Sequence, residues 1–291
     1  MNAILVFGVL IMSFLTVRAQ EIPILDGLNP QNRVHAADIA QQIHPGQIIV
    51  MGENHGFKTA QAGQIQLMQA LRAQGLKVSA GLEFFYYPDQ NLVDAFRQGT
   101  LAEADFLKKI QWGLPAFDFY RDQAVFPRYD QGERTIALNA PRTLTGKIAK
   151  SGLGSLTPEE QAMMPPNFQI GRDSYKKRFL AEMPHLPSPD AGDRYFAAQC
   201  TWDDTMAWKA AEFIQTHPDQ VLVITVGDFH AQYGGGLPDR IEARTHQKPV
   251  VFSYVNTAGL SEDEVSQQVE PSAEYGPRGD YIWLASEMSS N

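Results

Sequence analysis

Residues 47–55 read QIIVMGENH, a short apolar run rich in β-branched side chains, then a glycine, then three polar residues. A run of this length that does not alternate with polar positions is the pattern of a strand buried on both faces of a parallel sheet. The same pattern recurs at 77–82 before Glu83, at 134–138 before Asn139, and at 221–226 before Gly227-Asp228-Phe229-His230. Two later runs, 249–255 and 281–285, bring the expected strands to about six. Helical periodicity lies between them. Ile65, Leu67, Met68 and Leu71 share one face of a helix expected over 60–74, and further helices are expected over 90–97 and 103–110. Strands alternating with helices predict an α/β fold, a mostly parallel sheet of about six strands flanked by helices.

One region breaks the rhythm. Thr157-Pro158-Glu159-Glu160 has a capping residue followed by proline at the first helical position. Met163-Met164-Pro165-Pro166 then stops any helix, and after Pro184, Pro187 and Pro189 a long helix is expected over 191–215. Residues 156–217 therefore read as a helical insertion or subdomain within one domain spanning 20–291.

Residues 3–17 are almost wholly apolar, and Val17-Arg18-Ala19 places small residues at the spacing read by a signal peptidase. That run is shorter than the roughly 20 residues of a membrane-spanning helix. Residues 1–19 are thus expected to be a cleaved signal peptide, and the mature protein to be exported, periplasmic or secreted, and soluble. Cys200 is the only cysteine, so neither a lipid-bearing cysteine near the cleavage point nor an intramolecular disulfide is expected. The net charge is −9 and the 24 basic residues are scattered. That argues against nucleic acid as a partner, because such binding rests on clustered Lys and Arg that neutralise phosphates.

The chemistry collects at strand ends. In open parallel sheets, ligands bind outside the carboxyl ends of the strands, and here those ends carry Glu53 and His55, Glu83, Arg142, and His230. These five residues are expected to share one cleft. The glycines ahead of three of the motifs (Gly52, Gly81, Gly227) read as places where the backbone turns. His55 and His230 each sit three residues after a glycine, and imidazole serves both as metal ligand and as proton shuttle. Glu53 and Glu83 follow apolar strands, so burial raises their pKa unless a cation offsets it, and Arg142 is the candidate cation. The plainer reading of these groups is a structural ion-pair network. The aromatic run Phe84-Phe85-Tyr86-Tyr87 reads either as core or as the lining of an apolar pocket, and the acidic pair Asp203 and Asp204 is expected to point in different directions.

Taken together, GENH, GLEFF, LNAPRTLTGKIAKSGLGSLTPEEQ, WDDTMA and GDFHAQYGGGLPDRI resemble the ChaN-like, iron-regulated haem-binding proteins of bacteria, in order and over roughly residues 47–244. The wider superfamily includes the Tiki proteases and erythromycin-esterase-like hydrolases. The resemblance implies haem bound through a tyrosine, often in a homodimer, with an outer-membrane haem receptor as a partner. Tyr233, three residues after His230 and beside Gly234-Gly235-Gly236, is the first candidate ligand, and Tyr87 is the second. The competing expectation is a metal-dependent hydrolase in which His55, His230 and Glu83 hold a divalent ion that activates water, with Arg142 stabilising an anionic transition state.

Overall fold

A computed structural model describes residues 22–183 and 185–287. The expected signal peptide lies outside the described residues. Eight strands form one sheet: β1 (Ile24–Asp26), β2 (Arg33–Val34), β3 (Ile48–Glu53), β4 (Lys77–Tyr86), β5 (Thr135–Asn139), β6 (Gln220–Gly227), β7 (Val250–Asn256) and β8 (Tyr281–Ala285). Their order is β2-β1-β8-β7-β3-β6-β4-β5. The last six in that order run parallel, and they are the six expected from the sequence. The short β1 and β2 add an antiparallel edge. At three and two residues, they hold too few side chains to show any period.

Every residue of β3 and β6 is buried, which is why both read as continuous apolar runs. Alternate residues serve opposite faces. Ile49, Met51, Val78, Ala80, Leu82 and Val223 pack under the helix Lys58–Ala73 and the helices between β4 and β5. Ile48, Val50, Leu138, Leu222, Ile224 and Val226 pack under the helices Pro189–Thr216 and Leu237–Thr245. Met206, Ala207, Ala210 and Phe213 supply that helical face. The long helix read as part of an insertion is therefore the crossover between β5 and β6, laid directly on the sheet.

The strand limits shift in a way that matters for the site. Glu53 is the last residue of β3, and Glu83 lies inside β4, where the pairing with β5 slips register between Leu82 and Tyr86. Both carboxylates are held by strand backbone and not by loops. The three strand-end glycines also have a different reason from the one expected. None has a positive φ; each makes room. A Cβ on Gly52 would meet Asp228 Oδ1 at 2.2 Å, one on Gly81 would meet Leu138 Cδ1 at 2.6 Å, and one on Gly227 would meet His55 Nε2 at 3.0 Å.

Candidate functional site

β6 lies between β3 and β4, so the carboxyl ends of three neighbouring strands deliver their residues to one place. There, carboxylates and imidazoles alternate. Asp203 Oδ1 lies 2.6 Å from His230 Nδ1, and His230 Nε2 lies 3.5 Å from Glu83 Oε1. Glu83 Oε2 lies 3.9 Å from His55 Nε2, and His55 Nδ1 lies 2.9 Å from Glu53 Oε1. Both histidines approach the same carboxylate, so of the five residues expected to share one cleft, Glu53, His55, Glu83 and His230 meet in one network, whereas only His55, Glu83 and Arg142 line the cleft beside it.

The two ends of this chain are anchored by neutral donors. Glu53 accepts from the Tyr120 hydroxyl at 2.8 Å and from the Gln61 and Gln64 amides at 3.2 Å each. Asp203 Oδ2 accepts from the Tyr175 hydroxyl at 2.9 Å, and the Gln199 amide donates to the same hydroxyl at 3.0 Å. In the middle, the Gly227 amide donates to Glu83 Oε2 at 2.7 Å. Buried charge is tolerated when it is paired and its remaining lone pairs are satisfied, and this network meets both conditions.

Charge follows from these contacts. Burial disfavours the charged form of His230, but Asp203 and Glu83 outweigh it and lift the pKa to about 10. Burial likewise pushes Glu83 up, yet the two imidazoles and the Gly227 amide bring it down to about 2. His55 is also raised, burial being overcome by the hydrogen bond to Glu53 and the charge of Glu83. His55 reaches furthest outward: its side chain is 41% exposed, against 13% for Glu83, 8% for His230 and 0% for Glu53. It is the member of the network that can exchange a proton with anything in the adjoining cleft.

That cleft, of about 490 Å³, is lined by His55, Glu83, Phe84, Tyr86, Arg142 and Trp202, together with Leu114, Pro115, Asn139, Thr145 and Gly146. The aromatic run on β4 divides. Phe84 sets its ring edge-on to His55 at 4.9 Å, Phe85 is core at 1% exposure, and Tyr86 faces the cleft. Tyr87 turns to a different groove, where it donates to Met163 O and meets Trp208.

A family model described as haem-binding uptake, Tiki superfamily, ChaN, matches residues 39–241. The chain belongs to this ChaN family. Among solved structures it is similar to ChaN of Campylobacter jejuni, in a structure of cofacial heme binding, with a TM-score of 0.63 at 17% identity over 90% of this chain and 96% of that one. It is similar to a mutant erythromycin esterase, EreC, in its open conformation, with a TM-score of 0.48 at 12% identity over 82% and 77%. The type III effector HopBA1 follows at a TM-score of 0.45 and 11% identity, over 94% and 100%. Among curated proteins no significant match is found. At 17% identity the Campylobacter jejuni ChaN match speaks to fold alone, and it agrees with the mostly parallel sheet flanked by helices.

Three sequence expectations change within this ChaN-family site. Arg142 is not the counter-cation of the glutamates; the two imidazoles hold that place beside Glu83, and Arg142 lies exposed on the cleft wall. Neither Tyr233 nor Tyr87 lines the cleft. Tyr233, at φ +59°, packs between the guanidinium groups of Arg178 and Arg278, 5.3 and 5.5 Å from its ring centre. Finally, among the described residues no group of three or more His, Cys, Asp or Glu is arranged to hold a metal ion. Each Nδ1 is committed to a carboxylate, and Glu83 lies between the rings as their shared counter-charge, so the expected divalent ion at His55, His230 and Glu83 gains no support from the donor geometry.

Sequence reading missed Asp203, Gln199, Tyr175 and Tyr120 as partners of the site. Asp203 and Asp204 do diverge, the latter taking Arg244 Nε at 2.7 Å. Nothing in the local sequence says which of the two meets His230, because that depends on how the crossover helix is rotated on the sheet.

Proposed function

We propose that this ChaN-family protein binds haem in the cleft beside His55, and that it does so as an exported protein of the bacterial envelope serving haem or iron uptake. The observation that carries the reading is the lining of the cleft. Phe84, Trp202, Leu114 and Pro115 offer apolar cover for a flat macrocycle, Tyr86 offers a phenol oxygen, and the volume falls within the roughly 300–1,000 Å³ of small-molecule sites. Tyrosine is a known haem ligand. It must lose its proton to serve, and here burial raises the Tyr86 pKa while the charge of Arg142 works against that rise. Tyr86 thus replaces Tyr233 and Tyr87 as the proposed iron ligand.

Titrating purified protein with hemin tests this. A Soret shift saturating at one equivalent is expected, displaced and weakened in Tyr86→Phe and unaltered in Tyr87→Phe and Tyr233→Phe. No Soret change in the unsubstituted protein would overturn the reading.

The alternating network favours a second reading, hydrolysis by proton transfer at His55, whose Nδ1 is fixed by Glu53 so that Nε2 faces the cleft. It is separated from the first by His55→Ala, which would abolish hydrolysis of an ester probe while leaving hemin affinity within a few-fold.

A further inference from the structure

The helix Arg142–Ser151 begins immediately after β5 and opens onto the cleft. Its N-cap is Pro141, which has no side chain to cap with, and its first turn holds no acidic residue. The amides of Leu144 and Thr145 turn back to Pro141 O, whereas those of Arg142 and Thr143 are free of the helix ladder. A helix start in this state presents amide donors and partial positive charge to an anion. Arg142 adds a full charge at the same point, and among the described residues no carboxylate forms an ion pair with it.

One side chain in this wall has no internal explanation. Thr145 lines the cleft, is 1% exposed, and its hydroxyl is buried with no hydrogen-bond partner. An unpaired buried hydroxyl is destabilising, and a valine of nearly the same shape would remove the penalty. Threonine one turn inside a positively charged helix start makes chemical sense if the hydroxyl donates to something that enters from the cleft. Glu83, which also lines the cleft, is already paired with the two imidazoles, so these groups do not compete for that ligand.

We propose that the start of this helix is a carboxylate subsite, in which Arg142, the free amides of the first turn and the Thr145 hydroxyl receive a carboxylate of the bound ligand. The proposal rests on the haem reading only in taking that carboxylate to be a porphyrin propionate. An unrelated aromatic acid would meet the same donors.

Two probes keep the proposals apart. Hemin and its dimethyl ester are compared by Soret titration, and benzoate is compared with the neutral benzamide by following the Thr145 methyl and Gly146 amide resonances. Hemin is expected to bind about tenfold or more tighter than the ester, a preference reduced in Arg142→Gln and Thr145→Val, since a hydrogen bond to a charged group is worth that much. Benzoate should move both resonances, with benzamide silent. Thr145→Val should melt at the same temperature or higher while the Gly146 response to benzoate weakens; a lower melting temperature with an unchanged response would mark the hydroxyl as merely structural and overturn its role. Equal binding of acid and ester together with a silent benzoate titration would remove the subsite and leave haem binding standing. A benzoate response without any Soret shift would do the reverse.

Discussion

Asp203 sets the charge of His230, and through it the state of Glu83. Its contact at 2.6 Å is the shortest in the chain of carboxylates and imidazoles, and it joins the crossover helix to the short helix Asp228–Ala231 after β6. Replacing it with asparagine keeps the shape and removes the charge. We expect the His230 titration, followed by NMR, to move down from about 10 toward its ordinary 6.5. Stability should fall by about 3 kcal/mol, because a buried cation loses one of its two partners. Chemical denaturation measures the second effect. Little of this was legible in the sequence. His55, His230, Glu53 and Glu83 announced themselves by following glycine or a buried run, whereas Asp203 stood out only as half of the WDDTMA acidic pair, with nothing local to aim it at His230. Tyr86 was hidden for another reason: three consecutive aromatics on a strand divide between faces, and the bulge after Leu82 decides which of them meet the cleft.

At the scale of elements, the helix Lys58–Ala73 starts three residues after His55 and has no side-chain cap of its own. Glu287 supplies one. Its carboxylate accepts from the amides of Lys58 and Thr59 at 3.0 and 2.8 Å, and from the Thr59 hydroxyl at 2.6 Å. Asn256 on β7 holds the Glu287 backbone in place at both its amide and its carbonyl. Glu287→Gln should cost about 1 kcal/mol in thermal unfolding, the usual size of a lost charged cap. It should also perturb the His55 resonances, because the loop between β3 and this helix loses its anchor. An unchanged His55 spectrum would separate the tail from the site. Such long-range capping cannot be read locally. The capping box of Thr157 with Glu160, confined to four residues, was legible for the same reason that Glu287 was not.

For the whole molecule, the buried network makes stability depend on pH from two sides. His230 is raised in the fold from 6.5 to about 10, so its contribution is complete below 6.5 and is lost as pH rises through 10. Glu83 is lowered from 4.5 to about 2, so its contribution is present above 4.5 and is lost as pH falls through 2. Maximal stability from this pair is expected between 4.5 and 6.5, with a decline on the alkaline side. Urea midpoints measured from below pH 4.5 up to about pH 10 check it, and His230→Gln should flatten the alkaline limb. The six parallel strands were legible because both faces of the sheet are covered, which leaves each of them a short apolar run. Their order was not, since nothing in β3 or β4 says that a later strand will lie between them.

That order has a consequence for how the chain acquires its shape. β4 and β5 are neighbours and can pair as soon as both exist, but β3 has no place against β4 until Gln220–Gly227 is inserted between them. The amino-terminal half can therefore form the β4–β5 pair but cannot seat β3 beside it, and the central pairing waits on contacts far apart in sequence, which form slowly. A chain ending before Gln220 should leave the amides of Ile48–Glu53 unprotected in hydrogen exchange while β4 and β5 retain partial protection. Until that late strand arrives, His55 and Glu83 have not met, and a nascent chain has no site with which to capture a ligand prematurely.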